Sequence, residues 1–269
     1  MKEKLKLIKN LLEKRSARRK EGLFVVEGPH LVAEAADQIK FILYAENLPL
    51  IKELEAKNIL CFKVSKEEFS EISEVEAPQW VLAVVKMREY TLEDLVTPSV
   101  SALPRHLPLS KGERREGVIV FCHEIQDPGN LGTIIRTADA AGASGIILSK
   151  GTVDLYNSKT IRSTMGSLFH LPIVEVEDVE ETLALLKNKN IKSIAASLSA
   201  QKNYFEVDYK GGVVLVVGNE GAGLSTEIIK LCDETVKIPM PGKAESLNVG
   251  ISTAVILYEA LRQRFAFSS

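Results

Sequence analysis

The feature that most constrains this chain is a junction repeated in its second half, where a short apolar or β-branched run gives way to glycine and small polar residues. Three such junctions are DPGNLGTIIRTADAAG (127–142), VVGNEGAGLS (216–225) and IPMPGKAESLNVGISTAVILYEALRQR (238–264). The runs at 117–122, 145–149, 191–196, 212–217 and 234–238, with a weaker one at 171–176, read as strands. Helices are expected over 130–141, 157–166, 178–188 and 246–264. Strands without polar alternation are covered on both faces, which predicts a mainly parallel sheet. In open sheets of that kind ligands bind at the carboxyl edge, and all three junctions fall there.

The chain is long enough, at 269 residues, for a second domain. Residues 1–96 predict a smaller α/β unit, with strands at 23–26, 40–45, 59–64 and 80–85 and helices near 29–37, 49–57 and 66–73. Over 97–116 the pattern breaks. Pro98, Pro104 and Pro108 alternate with Ser101, Ser110 and the basic Arg105, Lys111, Arg114 and Arg115, without a hydrophobic period. A flexible linker is expected there, leaving 117–269 as the larger domain.

Net charge is −2, but residues 1–20 hold nine Lys or Arg against two Glu, so +7 at one end offsets −9 over the remainder. That basic segment offers Arg15, Arg18, Arg19 and Lys20 as contacts to a nucleic-acid backbone. An equal rival is a solvated amphipathic helix packed on its own domain, because Leu5, Ile8, Leu11 and Leu12 recur at helical spacing. No apolar run reaches the roughly 18–20 residues a membrane span needs, and no signal-peptide core is present; the expectation is a cytoplasmic protein without a membrane partner. Cys61, Cys122 and Cys232 are too scattered for a disulfide framework or a metal set, and His30, His106, His123 and His170 form no cluster. No metal site is expected.

Each motif alone has two readings. Asp127 to Asn130 is a helix-capping turn, and Arg136 is either a surface ion-pair residue or a phosphate grip near a helix N-terminus. The loop 218–225 has the order GxxGxG, which is neither the GxGxxG dinucleotide fingerprint nor a P-loop; its glycines permit close backbone approach to a ligand. Ser246 and Asn248 are helix caps or ligand contacts.

Taken together, the N-x-G…R-T-x-D-x-x-G pattern (130–142), the G-N-E-G-x-G-L-S loop and the I-P-M…S-L-N-V helix start (238–249) resemble the three motifs of the SpoU (TrmH-like) RNA ribose 2′-O-methyltransferases of the SPOUT superfamily. The likeness covers about 117–264, and FVVEGPHLVAEAA (24–36) resembles the ribosomal-protein-like substrate-binding domain of many such enzymes. The resemblance implies an α/β domain with a C-terminal trefoil knot. It implies S-adenosylmethionine as methyl donor, held by Val217, Gly218, Asn219, Glu220, Gly223, Ile238, Met240, Ser246, Leu247 and Asn248. Arg136 takes the central catalytic role, binding RNA as well, with Asn130, Glu220 and Ser246 completing the catalytic group. A homodimer is implied, and ribosomal RNA of the 23S type as substrate, with transfer RNA as the near alternative. A noncatalytic RNA-binding or ribosome-assembly factor is the rival from a different class.

Overall fold

A computed structural model describes residues 1–96 and 117–265, the last by its backbone alone. The linker expected at 97–116, with its four basic residues, lies outside the described residues. By contact the chain forms two compact units, Met1–Glu89 with Asp154–Phe169, and Tyr90–Val153 with His170–Ser269. This division departs from the sequence boundaries at two places: residues from Tyr90 onward group with the second unit, and Asp154–Phe169 groups with the first. Apolar burial accounts for both. Leu95 is 2% exposed in the core that holds Ile119, Phe121 and Ile147, while the rings of Tyr156 and Phe169 lie 4.6 and 6.2 Å from that of Phe24.

The first unit opens with helices α1 (Lys2–Glu13) and α2 (Arg15–Glu21), followed by β1 (Leu23–Glu27), α3 (Pro29–Glu34), β2 (Ile39–Tyr44), α4 (Pro49–Ala56), β3 (Cys61–Lys63), α5 (Lys66–Ser70) and β4 (Val81–Lys86). The sheet order is β1-β4-β2-β3. The basic N-terminal segment is an amphipathic helix on its own domain: Ile8 and Leu11 are buried against Leu23, Phe41, Phe69 and Leu82, each worth about 1.5–3 kcal/mol on removal from water. Its lysines are partly engaged at home, Lys9 with Glu71 at 2.8 Å and Lys4 over the ring of Phe62 at 4.5 Å.

Arg18 corrects an expectation. It is 5% exposed, and its guanidinium donates to the carbonyls of Leu11 and Leu12 at the end of α1 and to the Asp154 carboxylate, with Nε at 3.0 Å. A cation placed on the free carbonyls of a helix C-terminus complements their partial negative charge. Arg18 is thus an internal cap, with every hydrogen-bonding face turned inward, and is not an RNA contact. Arg15, Arg19 and Lys20 stay exposed.

The second unit holds α6 (Leu92–Val96), β5 (Val118–Cys122), α7 (Pro128–Ala140) and β6 (Gly145–Ser149). After α8 (Ser158–Thr164), which groups with the first unit, come β7 (Ile173–Val176), α9 (Val179–Asn188), β8 (Lys192–Ala196), β9 (Lys202–Asn203), β10 (Val213–Val217), α10 (Thr226–Leu231), β11 (Glu234–Lys237) and α11 (Val249–Phe265). Its seven strands run in the order β7-β6-β5-β10-β8-β11-β9, all paired in parallel. Every residue of β5, β6 and β10 is buried, which is why these strands read as unbroken apolar runs. Helix α7 turns Leu131, Ile134, Ile135 and Ala138 inward and packs on α11. Gly250 marks their close approach, since a Cβ there would meet the Thr133 methyl at 3.0 Å.

Among the described residues no helix is long and apolar enough to cross a membrane, and no three His, Cys, Asp or Glu side chains gather as metal ligands do.

Candidate functional site

The parallel strands β10, β8 and β11 are neighbours, so their carboxyl ends open side by side. A cleft of about 360 Å³ lies there, within the ~300–1,000 Å³ usual for small-molecule sites. Its walls are the ends of the three strands at Val217, Ala196 and Val236, the glycine loop from Gly218 to Leu224, and Ile238, Met240, Ser246 and Leu247.

The glycine loop is a tight reversal. Asn219 Oδ1 accepts from the N–H groups of Gly221 (2.9 Å) and Ala222 (3.0 Å), and its carbonyl accepts from Gly223 N at 2.9 Å. Gly218 is required by space: a Cβ there would sit 2.5 Å from the Gly223 carbonyl carbon and oxygen, backbone that cannot yield. The result is a wall made of backbone beside apolar side chains. Leu247 is 36% exposed along it. Such a surface suits a flat heteroaromatic ring with polar edges.

Glu220, in the same loop, binds the start of α7. Its Oε1 accepts from Asp127 N (3.0 Å) and Asn130 Nδ2 (2.9 Å), and its Oε2 from Gln126 N (3.0 Å). Asn130 in turn accepts on Oδ1 from Asn248 Nδ2 at 2.7 Å. Asn248 Oδ1 takes the N–H groups of Gly250 (2.9 Å) and Ile251 (3.3 Å), capping α11. Three segments, with Asn130 lying 90 residues from Glu220 and 118 from Asn248, are therefore joined through one carboxylate and two carboxamides. Desolvation pushes the Glu220 pKa up, but the hydrogen bonds from Asn130, Gln126 and Asp127 outweigh it and hold the carboxyl below its ordinary range.

Of the residues singled out in the sequence, Val217, Gly218, Asn219, Glu220, Gly223, Ile238, Met240, Ser246 and Leu247 line the cleft. Asn130 and Asn248 are not among the lining residues and connect α7 to the start of α11. Arg136 is on the exposed side of α7, six residues beyond Asn130, and does not line the cleft. Its guanidinium has no hydrogen bond or ion pair among the described residues. Arg15, Arg19 and Lys20 belong to α2 of the first unit. Sequence reasoning missed Ser197, Leu198 and Ser199, which also line the cleft; the signal was available, because they follow the strand read at 191–196 and so share its carboxyl edge.

Residues 117–258 match the SpoU rRNA methylase family, and residues 2–83 match an MRM3-like substrate-binding domain. The chain is 36% identical over 250 residues to the 23S rRNA (guanosine(2553)-2′-O)-methyltransferase RlmP of Bacillus subtilis (strain 168), covering 92% of each protein. It is 33% identical over 269 residues to the 23S rRNA (uridine(2479)-2′-O)-methyltransferase of Streptomyces viridochromogenes, covering 95% of this chain and 88% of that one. The fold superposes on the SpoU methyltransferase AviRb from Streptomyces viridochromogenes in complex with the cofactor AdoMet, with a TM-score of 0.83, 32% identity and 98% of each chain covered.

Proposed function

Because this chain belongs to the SpoU rRNA methylase family, we propose that it transfers a methyl group from S-adenosylmethionine to a ribose 2′-hydroxyl of ribosomal RNA of the 23S type. The observation that carries the reading is the Glu220–Asn130–Asn248 linkage, which ties the cleft wall to the helix bearing Arg136. The residues present suit the donor: backbone and apolar side chains for an adenine ring at Gly218, Ile238 and Leu247, and polar groups at Asn219 and Ser246 for the remainder.

Bound S-adenosylmethionine supplies an activated methyl on a sulfonium, so no covalent enzyme intermediate is needed. The protein's tasks are to align the ribose and to let its proton leave. A guanidinium stays protonated at neutral pH, which gives Arg136 the role of gripping an RNA phosphate or the ribose oxygen and stabilising the negative charge that develops on that oxygen. Asn130 holds the first turn of α7, Ser246 presents a hydroxyl at the cleft, and Glu220 acts as a brace whose two oxygens are already occupied. RNA is selected by the first unit, with Arg15, Arg19 and Lys20 supplying backbone attraction.

The same reading includes a cytoplasmic homodimer formed over α11, which leaves Ile251 and Tyr258 half exposed, and a trefoil knot in the carboxyl-terminal chain. Supporting the knot, β10 is inserted between β5 and β8, and β11 then pairs on the far side of β8.

The test is transfer of labelled methyl to ribosomal RNA and, separately, to transfer RNA, with nuclease mapping of the resistant site. Label in ribosomal RNA that is lost with Arg136→Ala is the expected result. Label only in transfer RNA keeps the chemistry and overturns the substrate. A protein that binds no donor is the noncatalytic RNA-binding factor instead.

A further inference from the structure

Two local costs sit side by side where β5 leaves the sheet. Glu124 adopts a left-handed backbone, φ 54°, which costs a residue with a Cβ about 1–2 kcal/mol. Beside it, His123 Nδ1 is the buried side-chain polar atom without a partner among the described residues. Such costs persist where the surroundings over-determine the backbone, and they gather at sites that need a fixed geometry.

The restraints on Glu124 are plain. Its N–H donates to Ser149 Oγ at 3.0 Å, and its carbonyl accepts from Asn219 Nδ2 and Gln126 Nε2, both at 3.0 Å. Gln126 Nε2 gives a second bond to the Gly151 carbonyl at 2.7 Å. The turn so held presents two successive N–H groups to one carboxylate, Gln126 N to Glu220 Oε2 and Asp127 N to Oε1. Asp127 also caps α7 through Asn130 N at 2.9 Å.

We infer that Gln126 is a positioning residue for methyl transfer: its carboxamide braces the turn at Glu124 against two carbonyls, aims the paired N–H groups at Glu220, and so fixes the start of α7 and with it Arg136. The inference rests on the functional reading above and adds a residue that lies outside all three motifs. Gln126 is exposed and does not line the cleft, so its truncation leaves the donor's walls in place. An ionised glutamate at this position has no N–H to donate and turns its charge toward two carbonyl oxygens.

The experiment compares the unmutated full chain with Gln126→Ala and Gln126→Glu. Donor affinity is measured by calorimetry with S-adenosylmethionine alone, and the single-turnover rate on unmodified 23S-type RNA at saturating donor, from pH 5.5 to 8.5. Gln126→Ala is expected to lower the rate about tenfold to a hundredfold, as a small misplacement does, with donor affinity changed less than about twofold. Gln126→Glu is expected to match that loss at pH 8, and its rate relative to the unmutated protein rises as pH falls toward the carboxyl range, where a neutral carboxyl donates one bond again. A rate equal to the unmutated protein, a loss lying wholly in donor affinity, or a pH-independent ratio overturns the inference. Absence of donor binding in the unmutated protein overturns the functional reading itself, and calorimetry tells that failure apart.

Discussion

Helices α2 and α7 each carry an arginine, and the two have opposite fates. Arg18 on α2 is 5% exposed and spends its donors on Leu11, Leu12 and Asp154. Arg136 on α7 is exposed and makes no hydrogen bond or ion pair among the described residues, and both oxygens of Glu220 are occupied by Asn130, Gln126 and Asp127. A guanidinium whose partners are internal supports a fold; one left without them is available to a ligand. The same side chain serves stability in one unit and, under the proposed function, chemistry in the other, and the local supply of acceptors decides which.

The largest way to break this contrast is Arg18→Ala. It leaves Asp154, 12% exposed in its side chain, to the longer ion pair with Arg15 at 3.8 Å, and denaturant unfolding should show the first unit destabilised by about 3 kcal/mol. Arg136→Ala should do the reverse, lowering methyl transfer about 10²–10³-fold while the unfolding midpoint and donor affinity hold. Equal loss of stability in both variants would erase the distinction. Asn130→Asp sharpens it: aspartate cannot donate to Glu220 and adds a like charge, so donor affinity by calorimetry should fall about tenfold or more.

A smaller effect is expected from Arg19→Ala with Lys20→Ala. The salt slope of RNA binding should shrink by about one per lost phosphate contact, with little change in stability; an unchanged slope removes α2 from the RNA face. The smallest effect concerns pH. The folded pKa of Glu220 lies below its unfolded value, so its contribution is full above the ordinary glutamate range and fades as pH falls through the folded value. Donor affinity should therefore stay level from neutrality down to about pH 5, and the gap between the unmutated protein and Glu220→Gln should close only below that.

Much of the motif-bearing unit was legible beforehand. The runs at 117–122, 145–149 and 212–217 coincide with β5, β6 and β10 to within a residue, because strands covered on both faces must be apolar throughout. The two-residue β9 at Lys202–Asn203 left no trace, since an edge pair against β11 needs only backbone groups. Nor did Arg18, which sits in the run RSARRK like any solvated cation; its carboxylate partner is 136 residues away. Excursion 154–169 reads as part of the larger domain by continuity alone, yet its aromatic rings belong with Phe24.

What the sequence determined by itself was the kind of fold and the sheet edge at which the cleft opens. Hydrophobic periodicity dictates which segments are strands and helices, and glycine and capping residues dictate where the chain turns; both are local properties. What the tertiary structure decided was the partner of each polar group. Glu220 is a brace because Asn130 and two N–H groups reach it, Arg136 is available because nothing described does, and Arg18 is interior because Asp154 returns to meet it. Hydrogen-bond partners are set by where distant segments come together in space, and a carboxylate or guanidinium carries no mark along the chain of which donor or acceptor will arrive.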